Sequence, residues 1–124
     1  MNMTNPILIS NSFPFALVRR EMTAMPMPLS ALQECLRTRP FVSAWGHANT
    51  LQAAHAIVGV DLTPQSERPA LTLSAEQLPS LDGQAFTECW LLSPEYKAGF
   101  RPKINEEVPA EAITGWQALR LMWK

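Results

Sequence analysis

At 124 residues and 13.8 kDa, the chain is expected to form a single domain (1–124), large enough to bury a core without disulfide or metal staples. Apolar residues make up 47% and charged residues 17%, which argues against disorder along the whole chain. Ten basic and eleven acidic residues leave a net charge of −1, which argues against broad attraction to duplex DNA.

No apolar run approaches the ~20 residues of a membrane span. Arg19 and Arg20 follow the first apolar stretch, whereas a secretory signal places its basic residues before it. A cytoplasmic protein with no membrane association is therefore expected. Cys35 and Cys89 have no metal-ligand spacing and read as reduced, buried thiols. With two histidines and no HExxH pattern, no metal and no cofactor are expected.

The eleven prolines are scattered and punctuate short elements. Residues 7–10 (ILIS) predict a buried strand. Residues 11–22 offer Asn11 and Ser12 as turn or cap residues, then a short helix limited by Pro14. TAMPMPL carries two prolines, so a strand there belongs at a sheet edge. Ser30 and Gln33 have capping-box spacing ahead of Leu32, Cys35 and Leu36, and predict a helix that Pro40 ends. FVSAW (41–45) reads as a strand, Gly46-His47 as a tight link, and the residues up to Val58 as a helix closed by Gly59. ALTLS (70–74) and FTECWLL (86–92) read as strands around an Asp82-Gly83 loop, in the manner of a hairpin. Residues 93–105 read as a surface loop. A short helix entered through Pro109 and ended by Gly115 precedes a last strand, WQALRLMW. Helices alternating with strands imply an α/β or α+β fold, a small mixed sheet flanked by helices.

One segment stands apart. From Pro40 to Val60 there is no Asp, Glu, Lys or Arg, yet both histidines, His47 and His55, lie inside it. His47 sits where a strand meets a helix. The first N–H groups of a helix lack internal partners and attract phosphate. Gly46 leaves the backbone open to close approach, and Asn49 and Thr50 add polar groups. An imidazole there can protonate a leaving oxygen. A plain strand-to-helix turn with a locally bonded His47 accounts for the same residues. His55, flanked by alanines, reads as a packed helix residue.

The run SAWGHANTLQAAHAIVGVDL resembles the strand-GHxST-helix segment of viral ring nucleases, and ILISNSF resembles their opening strand. That family is a small α/β homodimer that binds cyclic tetra-adenylate at the dimer interface and cuts it without metal. The resemblance implies that His47 is the catalytic histidine. Asn11, Gly46, Thr50 and Arg68 match family positions, which implies that they lie at the ligand, whereas the family's Asp and Ser are here Ala48 and Asn49; Ser12 and Asn49 are also expected to contact the ligand. The family's ligand-covering segment has an Arg and a catalytic Glu where this chain has Glu95 and Ala98. Glu95 then supplies the carboxylate from a shifted position and Lys97 or Arg101 the cation, or all three are solvated loop charges.

The implied function is a metal-independent ring nuclease acting on a cyclic oligoadenylate and so opposing type III CRISPR signalling. In that chemistry the ribose 2′-hydroxyl attacks the adjacent phosphorus and the histidine acts as general acid. The alternatives are a cyclic-nucleotide sponge of the same fold and a small interaction protein using its Trp and Met residues at an interface.

Overall fold

A computed structural model describes residues 6–46, 48–65, 70–103 and 106–124. Among these described residues are eight strands, β1 (Ile7–Ser10), β2 (Met22–Met27), β3 (Phe41–Ser43), β4 (Thr72–Leu73), β5 (Pro79–Leu81), β6 (Gln84–Ala85), β7 (Glu88–Tyr96) and β8 (Ile113–Trp123). Two α-helices, α1 (Leu29–Thr38) and α2 (Ala48–Val58), join them. The fold is mixed α+β, as the alternation of elements predicts. Its five-stranded sheet has the order β2-β8-β7-β1-β3, and β4-β5-β6 form a second, small sheet.

All four residues of β1 are buried because it lies between β3 and β7, parallel to both. Its side chains alternate between two cores. Ile7 and Ile9 join Trp90, Leu92 and Ala118 against Leu32, Cys35 and Leu36 of α1 and Ala54 and Val58 of α2. Leu8 faces the other way, with Cys89, Leu121 and Trp123, toward Leu81 and Phe86 of the small sheet and its flank. This period-two alternation fixes the register, since a one-residue slip would exchange the two faces. Each fully buried aliphatic side chain contributes roughly 1.5–3 kcal/mol of transfer free energy.

Several local expectations need correction. The Ser30–Gln33 capping box does not form. Pro28 stands at the N-cap, with no side-chain cap, and Gln33 Nε2 donates to the Ile57 carbonyl at 2.7 Å, tying α1 to α2. Residues 11–22 hold a single 3-10 turn, Phe15–Leu17, in place of an α-helix, and the segment before β8 holds another, Ala110–Ala112. Gly115 lies inside β8 and ends no helix. The strand in ALTLS shrinks to Thr72–Leu73, and the tight hairpin is β5–β6. Asp82 and Gly83 both have positive φ, 51° and 83°, as a two-residue type I′ turn requires.

The largest correction concerns residues 93–105. Ser93–Tyr96 continue β7, paired with β8 through a bulge at Glu95/Tyr96. Pro94 is tolerated there because β1 ends opposite Leu91, leaving β7 without its second neighbour. Met22–Met27, with Pro26, is the sheet's edge strand as expected.

At the opposite end of the sheet, Glu88 is 7% exposed. Its carboxylate accepts hydrogen bonds from Arg39 at 3.0 Å, Arg120 at 2.9 Å and Trp90 Nε1 at 2.7 Å. Burial is the largest single influence on this carboxyl and raises its pKa. The hydrogen bonds from Arg120, Trp90 and Arg39 together outweigh it and hold the pKa below the ordinary value.

Candidate functional site at the ends of β1 and β3

In sheets with parallel strands, ligands tend to sit beyond the strands' carboxyl ends. Here β1 and β3 run parallel and adjacent, so the residues leaving them, 35 positions apart in sequence, meet in space. The two strand ends are laced together. Ala44 N–H donates to the Ile9 carbonyl at 2.8 Å. Ser10 Oγ, buried, donates to the Ala44 carbonyl at 3.1 Å. Gly46 N–H donates to Asn11 Oδ1 at 2.8 Å. Beside these bonds lies a cleft of about 250 Å³ lined by Ser10, Asn11, Ser12, Pro14, Ala44, Gly46 and Leu71.

Gly46 is exposed in the cleft wall. A methyl group placed on it would meet Asn11 Oδ1 at 3.7 Å, an ordinary contact. The glycine is thus not required by crowding from the protein, and its open side faces the cleft. The residues of this wall are neutral: among the described residues lining it, none is titratable.

After Gly46 the chain enters α2. Trp45, 2% exposed, donates its indole N–H to the hydroxyl of Thr50, 3% exposed, at 3.3 Å. Asn49 is half-buried. Its side-chain amide donates to the Lys103 carbonyl at 3.3 Å, and its carbonyl accepts the Val108 N–H at 2.8 Å. The segment Lys103–Val108 is thereby tied to the first turn of α2 at both of its described ends.

The structure brings Asn11, Ser12 and Gly46 together at the cleft. Thr50 is not among the cleft's lining residues; it is buried, and its hydroxyl accepts the Trp45 indole N–H. Asn49 borders the corner where β3 meets α2. Glu95 and Lys97 lie elsewhere. Glu95 is exposed on β7 opposite Gly115, four residues past Leu91, the partner of Ser10, which is roughly 13 Å along the strand. Lys97 opens the turn that follows, with its N–H on the Ala112 carbonyl. His47 and Arg68 lie outside the described residues. Within one chain, then, the expected carboxylate and cation do not share a cleft with Asn11 and Gly46.

Trp45 and the Lys103 carbonyl are contacts that sequence reasoning missed. His55 is a helix residue as read, with Nε2 3.3 Å from Asp61 Oδ1. Among the described residues, no group of three or more His, Cys, Asp or Glu is placed to hold a metal ion, and no helix is long and apolar enough to cross a membrane.

No protein-family model matches the sequence, and no curated protein matches it. Among solved structures, the chain is similar in fold to B116 of Sulfolobus turreted icosahedral virus. The TM-score is 0.58 at 12% sequence identity, covering 97% of this chain and 100% of that one.

Proposed function

We propose that this protein is a ring nuclease that binds a cyclic oligoadenylate at the β1–β3 cleft and cleaves it with His47 as general acid. The observation that carries the reading is the Asn11–Gly46 hydrogen bond. It joins the turn after β1 to the backbone immediately before His47, at a cleft whose glycine wall admits close approach. The likeness of GHANT and ILISNSF to viral ring nucleases supports the same site, and the fold shared with an archaeal-virus protein over nearly the whole chain accords with it.

In this reaction the substrate carries its own nucleophile. The ribose 2′-hydroxyl attacks the neighbouring phosphorus and gives up its proton to solvent water, the bond from phosphorus to the 5′-oxygen breaks, and His47 delivers a proton to that 5′-oxygen. The products are linear fragments with a 2′,3′-cyclic phosphate at one end and a 5′-hydroxyl at the other. Holding the 2′-oxygen in line is worth several kcal/mol, and the general acid adds typically ~10²–10⁴-fold.

A cleft of about 250 Å³ is small even for one drug-sized ligand, so a ring of four nucleotides needs two of them. A twofold homodimer supplies two equivalent clefts to a twofold-symmetric ring. Glu95 and Lys97, outside the cleft of their own chain, act in this proposal across that pair.

A second reading is favoured by one feature of the sequence, Ala98 at the position where viral ring nucleases carry their catalytic Glu. A protein of this fold that sequesters the ring without cutting it would oppose signalling by mass action. Incubating stoichiometric protein with labelled cyclic tetra-adenylate, then denaturing it, distinguishes the two. Linear fragments with a cyclic-phosphate end support the nuclease, intact ring carried with the protein supports the sponge, and no retention of the ring contradicts both.

A further inference from the structure

We propose that Met25 and Met122 form an oxidation-sensitive pair, in which a peroxide turns both thioethers into sulfoxides and the change loosens the ion pair between Arg120 and Glu88. These residues lie on the sheet away from the β1–β3 cleft, so the inference stands apart from the nuclease chemistry. The chain has six methionines, and four of them, Met22, Met25, Met27 and Met122, are among the described residues. Met27 packs against the core beneath α1 and α2, and Met22 against the core on the sheet's other face. Met25 and Met122 are instead 44% and 37% exposed. Met25 stands on β2, the outermost strand, which carries no charged residue to keep other molecules from its edge.

Register places both thioethers beside the Glu88 cluster. Alternate residues of a strand share a face. On the helix side of the sheet, three cross-strand rows follow one another: Thr23, Met122 and Glu88; then Met25, Arg120 and Trp90; then Met27, Ala118 and Leu92. Met25 is thus the cross-strand neighbour of Arg120, and Met122 that of Glu88. Directly opposed side chains start roughly 5 Å apart, and diagonal ones, such as Met25 and Met122, remain within reach of long side chains. Arg120 Nε donates to Glu88 Oε2 at 2.9 Å, and its guanidinium carbon lies 5.7 Å from the centre of the Trp90 ring. A thioether sulfur is a weak acceptor and does not compete with Glu88 for that guanidinium. Oxidation changes this. The sulfur lone pair attacks one oxygen of hydrogen peroxide, the O–O bond breaks, and the second oxygen leaves as water after proton transfer. Sulfur loses two electrons and the peroxide gains them. The product is a polar sulfoxide. Opposite Arg120, the new oxygen on Met25 takes N–H donors from Glu88. Opposite Glu88, the new oxygen on Met122 sets a second partial negative charge against the carboxylate.

The test treats the folded protein with dilute hydrogen peroxide and locates each added oxygen by peptide mass spectrometry. Met25 and Met122 should gain oxygen several-fold faster than Met22 and Met27. The oxidised protein should melt about 3 °C or more below the untreated one, the scale of one lost hydrogen bond in a chain of this size. Methionine sulfoxide reductases A and B, with a dithiol reductant, should restore the melting point. Met25→Leu combined with Met122→Leu keeps the apolar volume and should melt unchanged after the same treatment. That double variant still carries Met1 and Met3, so it subtracts whatever their oxidation does; the two single variants, each retaining part of the loss, serve should it fail to fold. In Glu88→Gln the ion pair is already gone, and peroxide should lower the melting point by clearly less than in wild type. Arg120→Gln serves the same purpose should Glu88→Gln fail to fold. Equal oxidation rates at the four methionines would overturn the assignment of the sites. An unchanged melting point in oxidised wild type, or an equal drop in wild type and Glu88→Gln, would overturn the link to Arg120 and Glu88.

Discussion

Asn11 Oδ1 accepts the Gly46 N–H at 2.8 Å, and this bond is the outermost link between the ends of two parallel strands. Three rungs connect them in order, from the Ile9 carbonyl through Ser10 Oγ to Asn11. Only the last reaches the residue next to His47. Asn11→Ala is expected to lower unfolding stability by about 1 kcal/mol, the usual net worth of one hydrogen bond. Ring cleavage should fall by more than that stability loss explains, because the corner loses its outer tie. Urea unfolding beside a cleavage assay, on the same preparation, measures both.

Gly46 separates folding from binding. Among the described residues a methyl group there meets Asn11 Oδ1, at 3.7 Å, so Gly46→Ala should fold with stability within about 0.5 kcal/mol of wild type, as for a surface change away from special features. The same methyl occupies cleft space. Calorimetric titration with cyclic tetra-adenylate should show weakened affinity in a protein that melts normally. Unchanged affinity would remove Gly46 from the binding wall.

The Glu88 cluster predicts an acid-sensitive fold. In the folded protein this carboxyl titrates below its ordinary value of 4.5, held down by Arg120, Trp90 and Arg39 against the opposing effect of burial. The folded state therefore binds the proton less well than the unfolded chain does. Its stabilising contribution is complete above about pH 4.5 and is lost as the pH falls through the lower, folded value. Glu88→Gln should cost roughly 3 kcal/mol at pH 7, the lower end for breaking a buried pair, since both arginine side chains keep about a quarter of their surface in water, 25% and 28%. Urea midpoints measured from pH 7 to pH 3 should fall less steeply in the variant.

The two thiols should be inert in the native protein. Burial pushes the Cys89 thiol up to about 12 and raises that of Cys35 as well, against the opposing pull of Arg39. The thiolate is the reactive form. Iodoacetamide at pH 8 should label neither cysteine at an appreciable rate until denaturant is added. Rapid native labelling of Cys89 would show that its burial is not maintained in solution.

Much of the fold is legible in residue order. Three consecutive apolar positions mark β1, Pro26 assigns β2 to an edge, and Gly59, with φ of 77°, closes α2. What local patterns miss is what distant contacts decide. Gln33 has the spacing of a capping box, but the Ile57 carbonyl on α2 offers it a tertiary partner. Pro94 and its polar neighbours read as loop because the strand they extend has lost β1 on one side, a fact of register that composition does not carry. At the site, Asn11 and Gly46 were identifiable by type, and the parallel pairing of β1 with β3 unites them. The burial of Thr50 was not, because a hydroxyl at a helix start suits a phosphate or a buried indole equally, and its contact with Trp45 is tertiary.

The decisive measurement is cleavage of radiolabelled cyclic tetra-adenylate under single-turnover conditions by the wild-type chain and by His47→Ala, with affinity determined in parallel. Linear fragments bearing a 2′,3′-cyclic phosphate should form with wild type. The variant should be slower by at least ~10² while binding the ring within a few-fold of wild type. Equal rates for the two proteins, or a ring left whole by the wild-type protein, would contradict catalysis by this histidine.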